Sequence, residues 1–326
     1  MKNLWKVTLW AIALLSMLLV LWGCNGTHIC EGVNWVTEKE ATCQAEGSKK
    51  FVCSCGKAVK TESIPIAPNA HNVVDGSCTL CGYLCIEIRT VADLQNVSSN
   101  LSTNYILMND LDLGGMEWTP IGTEDNPFTG TFDGNGHVIS NFKITGDVQI
   151  AGLFGYNEGT IQNLGLESFT VDVSRSRSVY AGGLVGYSKG TITNSYAMGD
   201  VSASASYARA GGLVGCNREG TITNSYATGD VSASSMSTLP YAYAGGLVGY
   251  NNLGTITNCY RYSGQSFTVT QNGTTTHSAT NTYGTATDMA TLQSVDFQQN
   301  TLGWSADDWS FAAGAHPTLK NAGLTN

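Results

Sequence analysis

The chain has 326 residues, with 25 acidic against 16 basic side chains and a formal net charge of −9. That balance argues against nucleic acid as a partner, because phosphate recognition relies on clustered Lys and Arg. The length leaves room for two domains, and the 38 glycines have to be read by their pattern before they are read as disorder.

Residues 1–24, MKNLWKVTLWAIALLSMLLVLWGC, place Lys2 and Lys6 before an apolar run that ends in Leu21-Trp22-Gly23-Cys24. A basic start followed by a short apolar core predicts a secretory signal. The run is shorter than the roughly 20 residues of a membrane span. Leu-x-Gly-Cys resembles a lipobox, with Trp22 unusual at its place, which implies that Cys24 is lipidated. The expected location is the bacterial cell surface, lipid-anchored to the membrane.

Residues 25–85 form a Cys-rich module. Cys30, Cys43, Cys53, Cys55, Cys78, Cys81 and Cys85 lie close together, with His28 and His71 among them. Two chemistries answer for them. Paired C-x-C and C-x-x-C turns supply soft ligands to tetrahedral zinc, four being drawn from Cys43, Cys53, Cys55, His71, Cys78 and Cys81. Disulfides are the default in an exported chain, but seven cysteines leave one over. Either role is structural. It staples a segment too short to fold on an apolar core alone.

From residue 88 onward the signal is repetition. GLFGYNEGTIQNLGL, GGLVGYSKGTITNSYAMGDVSA, GGLVGCNREGTITNSYATGDVSA and GGLVGYNNLGTITNCYRYSG occupy the regions near 151–166, 181–203, 210–233 and 244–264. The Thr of each GTI falls at Thr160, Thr191, Thr221 and Thr255, at intervals of 31, 30 and 34 residues. A fixed period in this range predicts stacked units rather than one globular core. Within a unit, GLVGY, TITNSYA and GDVSA alternate at strand spacing between Gly, Asn and Asp turn signals. The expectation is an all-β fold, a right-handed parallel β-helix over 88–283, its coils about 4.8 Å apart. Ile192, Ile222 and Ile256 stack inside it. Asn163, Asn194, Asn224 and Asn258 form an amide ladder, and alternation puts Ile192, Asn194 and Tyr196 on one side.

These units resemble the GLUG repeats of bacterial surface proteins, including adhesins and the N-terminal parts of some IgA-cleaving metallopeptidases. NYILMNDLDLGGMEWTPIG and PFTGTFDGNGHVISNFKI, before the repeats, are similar to the segment that commonly precedes them. The resemblance implies a β-helical surface domain and carries no catalytic role. No HExxH occurs in the chain, so the peptidase is not expected.

Over 284–326, Met289, Leu292, Val295 and Phe297 follow near-helical spacing, and Trp304, Trp309 and Phe311 come after. An open coil end is an unpaired edge, and these aromatics are expected to cap it.

The chemistry expected of the chain is binding, not catalysis. Gly186-Tyr187-Ser188-Lys189-Gly190 fits a nucleophile elbow, yet the repeat puts Asn157, Asn217 and Asn251 at the place of Ser188, which makes it a turn residue. Asp110, Asp112 and Asp133 could serve a β-helical carbohydrate-active enzyme, a lyase or hydrolase, but such positions more often cap turns. Cys216 aligns with Tyr187 and Tyr250, and Cys259 with Ser195 and Ser225, so the two thiols are not stacked. Segments 174–181, 204–210 and 234–244 vary between coils and are read as loops. They bring Tyr180, Tyr207, Tyr241 and Tyr243 together with Arg175, Arg177 and Arg209. Such a ridge suits an extracellular glycan, anionic above all, or a protein ligand. The function expected is a lipid-anchored adhesion or binding protein, with a β-helical enzyme or a plain surface spacer as alternatives.

Overall fold

A computed structural model describes residues 33–39, 47–53, 58–64, 73–74, 77–78, 84–304 (apart from 236, 238–240, 278 and 282), 309–310 and 318–319. The chain divides into two compact units, Met1–Leu84 and Cys85–Asn326.

In the first unit, strands Val33–Lys39, Gly47–Cys53 and Ala58–Ile64 make an antiparallel sheet in chain order. Val73–Val74 pairs with Ser77–Cys78 in a short antiparallel ladder. Cys53 and Cys78 thus each end a strand. Cys24, Cys30, Cys43, Cys55, His71 and Cys81, the site of the expected lipid and most of the expected metal ligands, lie outside the described residues.

The second unit is a parallel β-solenoid of about five turns. Its first wall stacks Ile86–Ile88, Tyr105–Leu107, Thr131–Asp133, Thr160–Gln162, Thr191–Thr193, Thr221–Thr223 and Thr255–Thr257. The second wall holds the long strands Leu111–Glu117, Val138–Gly146, Gly165–Ser174 and Tyr196–Ser204, then Val231–Ser235 and Phe267–Gln271. The third holds Ile150–Ala151, Ser178–Gly182, Tyr207–Gly211 and Ala242–Gly245, and the fourth Phe154–Asn157, Val185–Ser188, Val214–Arg218 and Val248–Asn252. A full coil therefore has four strands where the sequence pattern predicts three. The extra one is the third wall, whose residues read as variable loops because its outward positions differ between coils while Val179, Ala181, Ala208, Ala210, Ala242 and Ala244 fill the interior.

Register follows the repeat. Ile161, Ile192, Ile222 and Ile256 lie side by side. The first three are fully buried, and Ile256 packs partly buried against the same core. The corner after each TIT is made by Asn163, Asn194, Asn224 and Asn258, all left-handed with φ between 49° and 52°. Asn tolerates that backbone better than other side chains with a Cβ. Each amide donates to the one below: Asn194 Nδ2 to Asn163 Oδ1 at 3.1 Å, Asn224 to Asn194 at 3.3 Å, Asn258 to Asn224 at 2.8 Å. At the bottom, Asn163 Nδ2 donates to Asp133 Oδ1 at 3.1 Å.

The same corner corrects the expected alternation. A left-handed residue breaks the period of two, so Ser195 and Ala197 turn inward while Tyr196 and Tyr226 face outward, away from Ile192. Those outward rings stack at 5.2 Å and are covered by Leu292, Phe297, Leu302 and Trp304. The described part of 284–304 does two things: strand Thr285–Thr287 pairs in parallel with Tyr260–Tyr262 and extends the second wall past the last repeat, as expected of a cap, and the residues after it run as a strap along the side of the solenoid. The strap consists of helix Met289–Leu292, started by an Asp288 N-cap, and a wide turn Phe297–Thr301. Phe311 lies outside the described residues, and Trp309 is described only as strand backbone.

At the other end, Leu94 of helix Val91–Asn96 and the following Val97 join the core of the first coils. Thr90 and Asp93 close that helix with a reciprocal capping box, a T-x-x-D signal legible in the sequence.

Candidate binding surface

The third wall alternates inward Val or Ala with outward Tyr or Arg. Tyr180, Arg209 and Tyr243 are register partners, and Ile150 continues their row one coil below. One step earlier on the same face, Tyr207 and Tyr241 stack with centroids 4.3 Å apart and planes 28° from parallel. Tyr207 is 41% exposed, one of few large apolar side chains so open among the described residues.

Tyr156, Tyr187, Cys216 and Tyr250 form the adjoining row on the fourth wall. Tyr156 and Tyr187 stack at 4.7 Å, Tyr187 meets Tyr180 edge-on at 5.3 Å, and Tyr250 meets Tyr243 at 5.4 Å. One coil departs from this pattern in both rows, since it carries Arg209 and Cys216 where its neighbours carry rings. The Arg209 guanidinium fills the gap, 5.0 Å from the Tyr180 ring centre and 4.5 Å from that of Tyr250. A planar cation between two aromatic faces is favourable and keeps the stack continuous. Cys216 beneath it is 3% exposed, and burial pushes its thiol up to about 11, so it stays protonated and unreactive.

The predicted ridge is therefore one face, carried by strands rather than loops. Tyr180, Arg209, Tyr243, Tyr207 and Tyr241 come together on it. Arg175 leans away, its Nε 3.2 Å from Asp147 and its Nη1 donating to Gln149 at 2.9 Å. Arg177 is exposed at the turn, where its carbonyl accepts from the Tyr207 N–H at 2.8 Å. Nearby, Lys189 is paired with Glu158 at 2.9 Å. With Arg209 held between rings and Arg175 and Lys189 neutralised, the surface offers flat aromatic area more than positive charge. Tyr156 and Tyr187 are buried and Tyr250 is half-buried, so this row packs beneath the face, in keeping with its place inside the constant GLVGY unit of the sequence.

The other sequence candidates have structural positions. Ser188 is fully buried and accepts from Asn157 Nδ2 at 3.3 Å, in register with Asn217. Asp110 accepts from Val138 N and lies 3.0 Å from His137 Nδ1; this hydrogen bond, more than any other effect, holds its carboxyl below the usual range. Asp112 accepts from Gly114 N and Asn141 Nδ2, and Asp133 from Asn135 N, Gln162 Nε2 and Asn163 Nδ2. All three carboxylates hold turns. Cys259 donates to the Thr257 carbonyl at 3.2 Å, as Ser195 and Ser225 do to Thr193 and Thr223, and burial pushes its thiol up to about 12. Among the described residues, no group of three or more His, Cys, Asp or Glu is placed to hold a metal ion. Among them, too, no helix is long and apolar enough to cross a membrane.

Residues 206–232 match the family model described as the GLUG motif. A putative Gly-rich membrane protein of Evansella cellulosilytica is 40% identical over 90 residues, which is 24% of this chain and 10% of that protein. Halomucin of Haloquadratum walsbyi is 36% identical over 149 residues, 40% of this chain and 2% of its own length. The chain thus spans a small fraction of the curated relatives it matches.

Proposed function

We propose that this chain, a GLUG-repeat protein, is a lipid-anchored adhesion or binding protein of the bacterial surface, and that the Tyr face of its third wall contacts an extracellular glycan or protein. The observation that carries the reading is the stack of the exposed Tyr207 on the half-buried Tyr241. A stacked aromatic pair offers flat apolar area at little cost in conformational entropy, because two χ angles fix each ring. The names of the relatives, a membrane protein and a mucin-like one, support a surface location. The turn-holding roles of Asp110, Asp112 and Asp133 support a binder over an enzyme. Because the arginines beside the rings are largely committed to intramolecular partners, the glycan favoured is one bound by stacking, and anionic charge on it is secondary. The membrane end of the proposal rests on the Cys24 lipobox resemblance.

Two measurements test the two halves. Replacing Tyr207 and Tyr241 together by Ala should lower glycan-array or cell binding by about tenfold, roughly 1.4 kcal/mol, with an unchanged far-UV spectrum; undiminished binding by the folded variant would remove the face from the account. Cys24→Ala should leave unprocessed precursor and release no mature lipoprotein. Normal processing would remove the anchor.

A further inference from the structure

Beside the aromatic face, where the Tyr180 row ends in Ile150, the first coils open into a cleft of about 560 Å³ between segments 117–125 and 144–150. Its walls are two tight turns. Gly122, at φ +80°, brings the first turn against the solenoid, where a Cβ would stand 2.7 Å from the Tyr156 carbonyl and 2.9 Å from Phe128 N. Hydrogen bonds between Thr123 and Asn126 close that turn and push Glu124 and Asp125 into solvent. The second turn, around Gly146 at φ +83°, presents Asp147. The lining between them includes Trp118, whose Nε1 is fixed to the Leu153 carbonyl at 3.0 Å, with Pro120, Val148 and Ile150.

Four carboxylates, Glu117, Glu124, Asp125 and Asp147, stand along the cleft, and among the described residues no Lys or Arg lines it. Glu117 already receives Thr145 N and Oγ1, at 2.6 and 2.7 Å. Glu124 and Asp125 make no hydrogen bond or ion pair among the described residues. The chain seats one guanidinium at the rim itself, that of Arg175 on Asp147 and Gln149. An apolar lining below unpaired carboxylates fits a side chain with an apolar stem and a head that only donates. The carboxylates are spread along the cleft and do not converge as a metal site requires.

We propose that this cleft binds an Arg or Lys side chain of a basic segment on a partner protein. The site is separate from the aromatic face and stands whether or not that face binds glycan.

The test uses the purified full chain and two probes: a Gly-spaced Arg/Lys peptide and the same peptide with Glu. Calorimetry should detect the basic peptide alone, and its affinity should fall about tenfold in Glu124→Gln/Asp125→Asn and on raising salt from about 0.05 to about 0.5 M. A control variant, Asp172→Asn/Glu219→Gln, makes the same charge change elsewhere and should bind as the parent does. Failure of the basic peptide to bind, equal affinity in the cleft variant, equal affinity of the Glu peptide, or an equal loss in the control would each overturn the proposal. Glycan arrays read the aromatic face and the peptide reads the cleft, so the two proposals fail separately.

Discussion

Trp304→Ala is expected to destabilise the second unit by about 3–5 kcal/mol, the range for removing a buried Trp. The indole is 1% exposed and lies over Tyr226 at 5.8 Å and Tyr196 at 6.1 Å, nearly parallel to both. Its Nε1 donates to the Asn224 carbonyl at 2.9 Å, which ties the strap to the amide-ladder corner. Truncation therefore removes stacking, burial and a hydrogen bond together, and uncovers two tyrosine rings. Trp304→Phe keeps most of the ring and should cost less, about 1 kcal/mol coming from the lost hydrogen bond. Urea unfolding of the three proteins, followed by far-UV circular dichroism, checks the order. A loss under about 1 kcal/mol for the Ala variant would mean that the strap contributes little to the solenoid.

Gly211→Ala should cost about 3 kcal/mol, at the upper end for overpacking. Gly211 sits where the chain passes from the third to the fourth wall, and a Cβ there would stand 2.0 Å from the Val214 carbonyl and 2.5 Å from Gly249 N. Both neighbours are backbone, one in the same coil and one in the next, so neither can swing aside. A Cβ on Gly182 or Gly245 would likewise run into the matching carbonyl of Val185 or Val248, at 2.2 and 2.0 Å, which explains why the first Gly of GGLVG recurs. The exposed Thr255→Ala provides the comparison and should change stability by no more than about 0.5 kcal/mol. Equal midpoints for the two variants would show that the coils are not packed this closely.

Much of this was legible in the sequence, since a repeat fixes its own register. The spacing of Thr160, Thr191, Thr221 and Thr255 gave the pairing of the first wall, and the alignment of Cys216 with Tyr187 and Tyr250 gave a row of the fourth. Two things stayed hidden for physical reasons. Asn194 is left-handed, and that conformation reverses which side of the sheet Tyr196 faces, an effect that alternation alone does not register. The third wall has small inward residues and variable outward ones, so SVYAG, YARAG and AYAG lack the bulky apolar alternation by which strands are recognised. The tyrosines and Arg209 nevertheless stand out by their chemistry. Only a register in three dimensions shows Arg209 filling the place of a missing ring.

The central claim is that successive repeats stack as coils, which is what makes the aromatic face continuous. Spin labels introduced through unnatural side chains at Thr131 and Thr255, both on the first wall and four coils apart, measure this directly. Stacked coils predict a single narrow distance near 19 Å, about four times the 4.8 Å strand spacing, broadened only by the linkers. A wide distribution centred well beyond twice that value, as for repeats strung out along the chain, would contradict the solenoid and the binding surface built on it.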